Sequence, residues 1–181
     1  LKSMDQYTPY WRNLIFKLRQ FFHGTGTHLT YDVMPDVVMN NSLWPYLDYI
    51  SISAYMPLTL FKYSSVEQLQ RGWNQHLDLL EKWLREKYPK KLVLFAEAGF
   101  MSLAGASQRP WDWKMYAGES EQEQADCMRA SLLELPKRKW LKGAYYWRWT
   151  LQENYPLFNY DYYTPYKKKA EGVIREFWLL N

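Results

Sequence analysis

The strongest constraint on this chain is an alternation of short apolar runs with amphipathic helical stretches. Runs at His28–Val33, Tyr49–Tyr55, Leu92–Ala96 and Lys142–Trp149 read as strands, stopped by Pro35, Pro57 and Glu97 in the first three cases. Ahead of them, Tyr7, Trp11, Leu14, Ile15, Leu18, Phe21 and Phe22 recur at three-and-four spacing, which predicts a helix ending before the Gly24-Thr25-Gly26 turn. A short helical or irregular stretch follows Pro35 to about Leu47. Ser64 with Glu67, or Ser65 with Gln68, offers a capping box to a long helix carrying Leu69, Trp73, Leu77, Leu80 and Leu84 on one face, ended by Pro89. Ser120 and Glu123 offer a second box to a helix reaching Leu135, and Thr164-Pro165 predicts the start of a last helix with Ala170, Val173, Ile174 and Phe177 inward.

Helices between successive strands prescribe a parallel sheet with crossovers, the α/β class. The nearly all-apolar Leu92–Ala96 run predicts a strand buried on both faces. Four such strands could form a small open sheet or half of an eight-stranded barrel. A full barrel typically needs about 250 residues, more than the 181 present. Because the chain opens on a helix, four earlier strand-helix units are expected to precede it. Residues 1–181 read as a single domain, and a lone half barrel would leave two sheet edges unpaired and in need of a covering partner.

Composition narrows function. Hydrophobic residues make up 48% and charged ones 23%, with 8 Gly and 9 Pro, which excludes disordered and collagen-like classes. No apolar run approaches the roughly 18 residues of a membrane span, so none is expected. The net charge of +4 lies in short runs, Lys137-Arg138-Lys139 and Lys167-Lys168-Lys169, read as solvated surface and not as a nucleic-acid patch. The lone Cys127 fits a reducing compartment without excluding export, and no leader pattern follows Leu1, so localisation stays open between cytoplasmic and exported. The 10 Trp and 16 Tyr, part of a 19% aromatic content, suggest either an aromatic core or flat faces that stack on sugars.

Active sites of parallel sheets lie at the carboxyl ends of the strands, so charges there carry information. Glu97 leads, projecting from the end of a rigid apolar strand. Asp32 ends the first strand, Tyr55 the second, and Trp147 and Trp149 the fourth; strand alternation would give the two tryptophans one orientation and Arg148 the other. Together they outline a sugar-binding cleft, with Trp111 and Trp113 in the loop after Glu97 as walls or anchors. Other chemistries fail on spacing. His23, His28 and His76 form no metal-ligand set, Gly24-Thr25-Gly26 precedes a strand and so is no dinucleotide loop, and neither Ser102 nor Cys127 has a nucleophile motif.

The segments Leu47–Leu58, Leu94–Phe100, Pro110-Trp111, Gln124-Ala125 and Gly143–Trp149 resemble, as an ordered set, glycoside hydrolase family 113. That family comprises (β/α)8 barrels of clan A whose known members are largely β-mannanases. The resemblance runs from about Thr27 to Trp178 and implies a parallel half barrel corresponding to strands five to eight of a TIM barrel. It implies that Glu97 is the nucleophile of a retaining hydrolase of β-linked polysaccharide, that Tyr55 orients its carboxylate, and that Trp147 or Trp149 floors the sugar subsite. Asp32 and Trp111 would add substrate contacts. Such chemistry needs two carboxyl groups about 5–5.5 Å apart and no metal or cofactor. The family's acid/base glutamate follows strand four, outside this chain, so the isolated chain is expected to be inactive. Where the family pattern would have a more polar stretch with an Asn, this chain has Tyr31-Asp32-Val33. The expected partners are a polysaccharide or oligosaccharide and a missing N-terminal half barrel or second chain. Two competing readings are a non-catalytic barrel that binds glycans or scaffolds, and a half-barrel homodimer.

Overall fold

A computed structural model describes residues 7–150 and 161–180. The elements are α1 (Thr8–Phe21), β1 (Asp32–Val33), β2 (Tyr49–Ser53), α2 (Val66–Lys87), β3 (Leu92–Ala98), α3 (Glu121–Glu134), β4 (Leu141–Tyr146) and α4 (Lys169–Leu180). The four strands form one sheet in sequence order, every pair parallel. This is the parallel α/β arrangement expected from the alternation of elements.

One face of the sheet is sealed by helices. Ile50, Ile52, Val93 and Phe95 are fully buried, in one cluster with Leu69, Trp73, Leu77, Leu80 and Leu84 of α2. The Trp73 ring stacks on Phe95 at 6.2 Å and meets Phe100 edge-on at 6.4 Å. Close approach of α2 depends on Gly72, where a Cβ would lie 2.0 Å from the Leu58 carbonyl oxygen. Of the two candidate caps for α2, Ser65 is used: its hydroxyl accepts from Gln68 N and the Gln68 side chain accepts from Ser65 N. Ser64 pairs instead with the Thr59 hydroxyl.

The opposite face corrects the expectation of a strand buried on both sides. Leu92 is 37% exposed and Tyr145 on β4 65% exposed, while Leu94 and Ala96 are only partly covered. The apolar run reflects a face that a parallel strand presents inward, and the described residues include no layer that covers it. The apolar stripe of α1 is likewise largely uncovered: Ile15 is buried, but Leu14 and Phe21 are exposed.

Strand lengths also differ from the pattern. Only Asp32–Val33 of the His28–Val33 run pairs, because the carboxylate and backbone N–H of Asp48 capture Leu29: Asp48 Oδ2 accepts from Leu29 N at 2.6 Å, and Asp48 N donates to Leu29 O at 2.8 Å. β4 stops at Tyr146, three residues before the expected end. The Thr164-Pro165 pair does not open the last helix. It forms a turn, with Pro165 O accepting from Lys168 N, and α4 begins at Lys169.

Candidate active site

Glu97 owes its position to a bulge. Along β3, Ile52 of β2 pairs with Phe95 but Ser53 pairs with Glu97, so Ala96 is an extra residue. Strict alternation would send Glu97 to the helix side with Val93 and Phe95; the inserted residue resets the phase and turns its side chain toward the loop-bearing rim. The backbone stays tied there, since Glu97 O accepts from Ala54 N at 2.6 Å. That bond carries the chain past the end of β2 to Tyr55, whose hydroxyl donates to Glu97 Oε2 at 2.9 Å. Burial, the hydrogen bond to Glu97 and that carboxylate's charge hold the Tyr55 phenol well above its usual pKa, so it remains a donor. No lysine or arginine among the described residues forms an ion pair with Glu97.

Asp32 lies two strands away with its carboxylate accepting from the Ser53 hydroxyl. Although the residue as a whole is exposed, partial desolvation of the carboxyl end raises its pKa. The Ser53 bond opposes the shift and the charge of Glu97 adds to it. Asp32, Tyr55 and Glu97 thus sense one another across adjacent strand ends.

The tryptophans are arranged by loops, and the expected alternation along Tyr145–Trp149 does not apply because the strand has ended. The Trp147–Arg148 peptide is cis. Trp147 N donates to Ala98 O at 2.7 Å, and a Cβ on Gly99 would lie 2.3 Å from Trp147 O, so glycine at 99 lets the segment after β4 close onto the segment after Glu97. The Trp147 ring is half-exposed with the Arg148 guanidinium 6.0 Å from its centroid, and Trp149, equally exposed, leans on Tyr166 at 6.3 Å. Trp111 is also half-exposed, and its carbonyl accepts from Trp113 N.

Three residues take roles that the sequence does not indicate, although Gln124 belongs to the segments that carry the family resemblance and Glu123 to a capping pattern. Tyr163 packs its ring nearly perpendicular to that of Tyr55, with centroids 6.3 Å apart, and donates from its hydroxyl to Pro110 O at 2.7 Å. Gln124, fully buried, donates through Nε2 to the carbonyls of Phe100, Tyr162 and Tyr163 at 2.9–3.1 Å. Glu123 is no capping-box partner: Ser120 accepts from Glu123 N, but the carboxylate turns away to accept from Gly105 N, Ser107 N, Ser107 Oγ and Tyr63 N. Each of these side-chain contacts spans 16 or more residues of sequence, and no local pattern announces it. The described residues contain no cluster able to hold a metal ion. A carboxylate that, among the described residues, has one phenol donor and no paired cation, with exposed aromatic rings on the neighbouring loops, is equipped to meet an uncharged, hydroxyl-rich ligand.

Comparison with known proteins bears on the family and the fold. The model for Glycoside Hydrolase Family 113 matches residues 1–168. A solved complex of a family 113 β-1,4-mannanase superposes with a TM-score of 0.77 at 26% identity, covering 98% of this chain and 53% of that one. A family 113 β-mannanase from Alicyclobacillus acidocaldarius, in complex with ManMIm, gives a TM-score of 0.72 at 26% identity over 94% of this chain and 50% of that one. A β-glucuronidase from Ruminococcus gnavus shares the fold alone, with a TM-score of 0.68, 14% identity and coverage of 97% and 30%. No curated protein matches. The chain spans about half the length of the mannanases to which it is similar.

Proposed function

From the premise that the chain belongs to glycoside hydrolase family 113, we propose that it forms the nucleophile-bearing half of a retaining hydrolase of β-linked polysaccharide, of β-mannanase type. The observation that carries the reading is the 2.9 Å bond from Tyr55 Oη to Glu97 Oε2 at the carboxyl ends of neighbouring parallel strands.

In this mechanism Glu97 attacks the anomeric carbon and forms a glycosyl-enzyme ester as the leaving-group oxygen takes a proton from a second carboxyl group. Water then attacks the same anomeric carbon, giving its proton to that second group, now acting as base, while the bond from the anomeric carbon to the Glu97 oxygen breaks and the carboxylate is released. The Tyr55 hydroxyl keeps the attacking oxygens aimed and its partner oxygen hydrogen-bonded. Trp147, Trp149 and Trp111 offer apolar faces to the C–H faces of the sugars, and Asp32 accepts from sugar hydroxyls. The second carboxyl group comes from outside these 181 residues, supplied by a preceding half barrel that also covers the exposed sheet face and edges.

The test is hydrolysis of β-mannan and β-glucan by a polypeptide that carries both halves, with and without Glu97→Gln. Loss of turnover in the variant, and trapping of a glycosyl ester on Glu97 by a fluorinated glycoside, are the expected results. Equal turnover in both proteins would leave Glu97 without its assigned role. A wild type that binds mannan but never hydrolyses it would make the barrel a glycan-binding module.

A further inference from the structure

We propose that Tyr163 is a positioning residue that sets both the aim of Tyr55 at Glu97 and the place of the Trp111 loop; this rests on the hydrolase reading of the Tyr55–Glu97 pair. The two functions belong to different parts of one side chain. Its ring packs nearly perpendicular to the Tyr55 ring, with centroids 6.3 Å apart and an interplanar angle of 76°, which closes one side of the arc through which the Tyr55 phenol could swing away from Glu97. Its hydroxyl donates to Pro110 O at 2.7 Å, one residue before the half-exposed Trp111.

A brace is useful only if it is itself fixed, and Tyr163 is fixed from several sides. The Asp161 carboxylate accepts from Arg148 Nε at 2.7 Å and from Tyr163 N at 3.1 Å. Gln124 Nε2 donates to the carbonyls of Tyr162 and Tyr163 at 3.0 and 3.1 Å, and to Phe100 O of the β3 exit at 2.9 Å. Lys168 Nζ reaches Asp161 O at 2.6 Å and Ser102 Oγ at 3.1 Å. Gly99 completes the seat, since a Cβ there would lie 3.4 Å from Tyr163 Cδ1. Burial, with the charges of Asp112 and Glu97, pushes the Tyr163 phenol up to about 12, so its proton stays available to Pro110 at neutral pH. The segment before α4 is thereby locked to the segment after β3, and Tyr163 passes that rigidity to the two loops on either side of Glu97.

Because ring and hydroxyl act on different targets, two substitutions separate them in the protein carrying both barrel halves. Tyr163→Phe keeps the ring and frees the Pro110 loop: KM for mannan should rise about 3- to 10-fold while kcat changes less than about 2-fold. Tyr163→Ala removes the ring edge as well: kcat should fall about 10-fold or more, in proportion to lost alignment. Tyr163→Leu, which fills the space without an aromatic edge, should repeat the kcat loss and serves if the alanine variant fails to fold. Crystal structures provide a readout independent of turnover, with the Tyr55–Glu97 bond kept in the phenylalanine variant and broken in the leucine or alanine variant. An unchanged kcat without the ring, equal losses in the phenylalanine and leucine variants, or an intact Tyr55–Glu97 bond without the ring would overturn the proposal. Should wild type prove inactive on every β-glycan, the hydrolase reading falls, and the crystal structures still decide whether Tyr163 aims Tyr55.

Discussion

Glu97 and Glu123 both bring a carboxylate to the loop-bearing end of the sheet, Glu97 from β3 and Glu123 from the first turn of α3. Glu123 is 2% exposed and accepts from three backbone N–H groups and the Ser107 hydroxyl, drawn from the loops that follow β2 and β3. Glu97 is half-buried and, among the described residues, accepts from the side chain of Tyr55 alone. A carboxylate saturated by backbone donors is committed to holding loops in place. One that keeps lone pairs unspent, with no cation paired to it among the described residues, stays able to form a new bond. The region around Glu123 is tied for stability, and the proposed function asks the region around Glu97 to react.

The largest expected effect breaks this contrast if it fails. Glu97→Gln should lower kcat on mannan by on the order of 10⁴-fold or more, as loss of a nucleophile does elsewhere, while the melting temperature moves by less than about 2 °C. A variant that also melts much earlier would mean that Glu97, like Glu123, is structural.

Glu123→Ala should do the reverse. It strands buried N–H groups at Tyr63, Gly105 and Ser107, for a cost of about 3 kcal/mol, read as a lower urea midpoint and faster amide exchange in the two loops. Gln in the same place keeps one acceptor and should cost about half as much. Undiminished protection at Gly105 and Ser107 would show that the carboxylate is not what fixes these loops.

Tyr55→Phe sharpens the contrast at a smaller scale, because it leaves Glu97 in place and removes only its phenol donor. A loss of about 10- to 100-fold in kcat, equivalent to roughly 1.4–2.7 kcal/mol, is expected. Stability should hardly change, since no other hydrogen bond of the Tyr55 side chain is lost.

The same pair of residues marks how far the sequence could be read. Glu97 stood out because a five-residue apolar run ended on it, at the strand end where the sites of parallel sheets lie. The long α2 face was equally legible, since all five of its spaced apolar residues are buried. Glu123 misled because Ser120 three residues earlier completes a local capping pattern, whereas its partners lie 16–60 residues away. Tyr163 gave no signal for the same reason: its contacts are with Tyr55 and Pro110. The bulge at Ala96 was also invisible, because it is set by register against β2 and not by composition. Periodicity reports what one element buries, and a functional rim is assembled from contacts between elements.

Lys168 supplies the smallest test, and it concerns a cation spent in the manner of Glu123. Its Nζ is buried against Ser102 Oγ and the carbonyls of Asp161 and Tyr162. Desolvation lowers its pKa to about 8, with the charges of Asp161, Glu121 and Glu119 opposing the shift. Below pH 8 the lysine is charged in the folded and unfolded chains alike, so folding bears the full cost of burying the charge. Between about 8 and the ordinary value near 10.4, the unfolded chain still holds the proton and the folded one has released it, so stability gained from this group rises with pH. Relative to Lys168→Met, wild type should therefore gain about 1–2 kcal/mol between pH 6.5 and pH 9.5 in urea unfolding. A difference that stays flat, or that shrinks as pH rises, would mean the ammonium is stabilised where it sits, and that the segment carrying Tyr163 is pinned by charge and not merely by hydrogen-bond geometry.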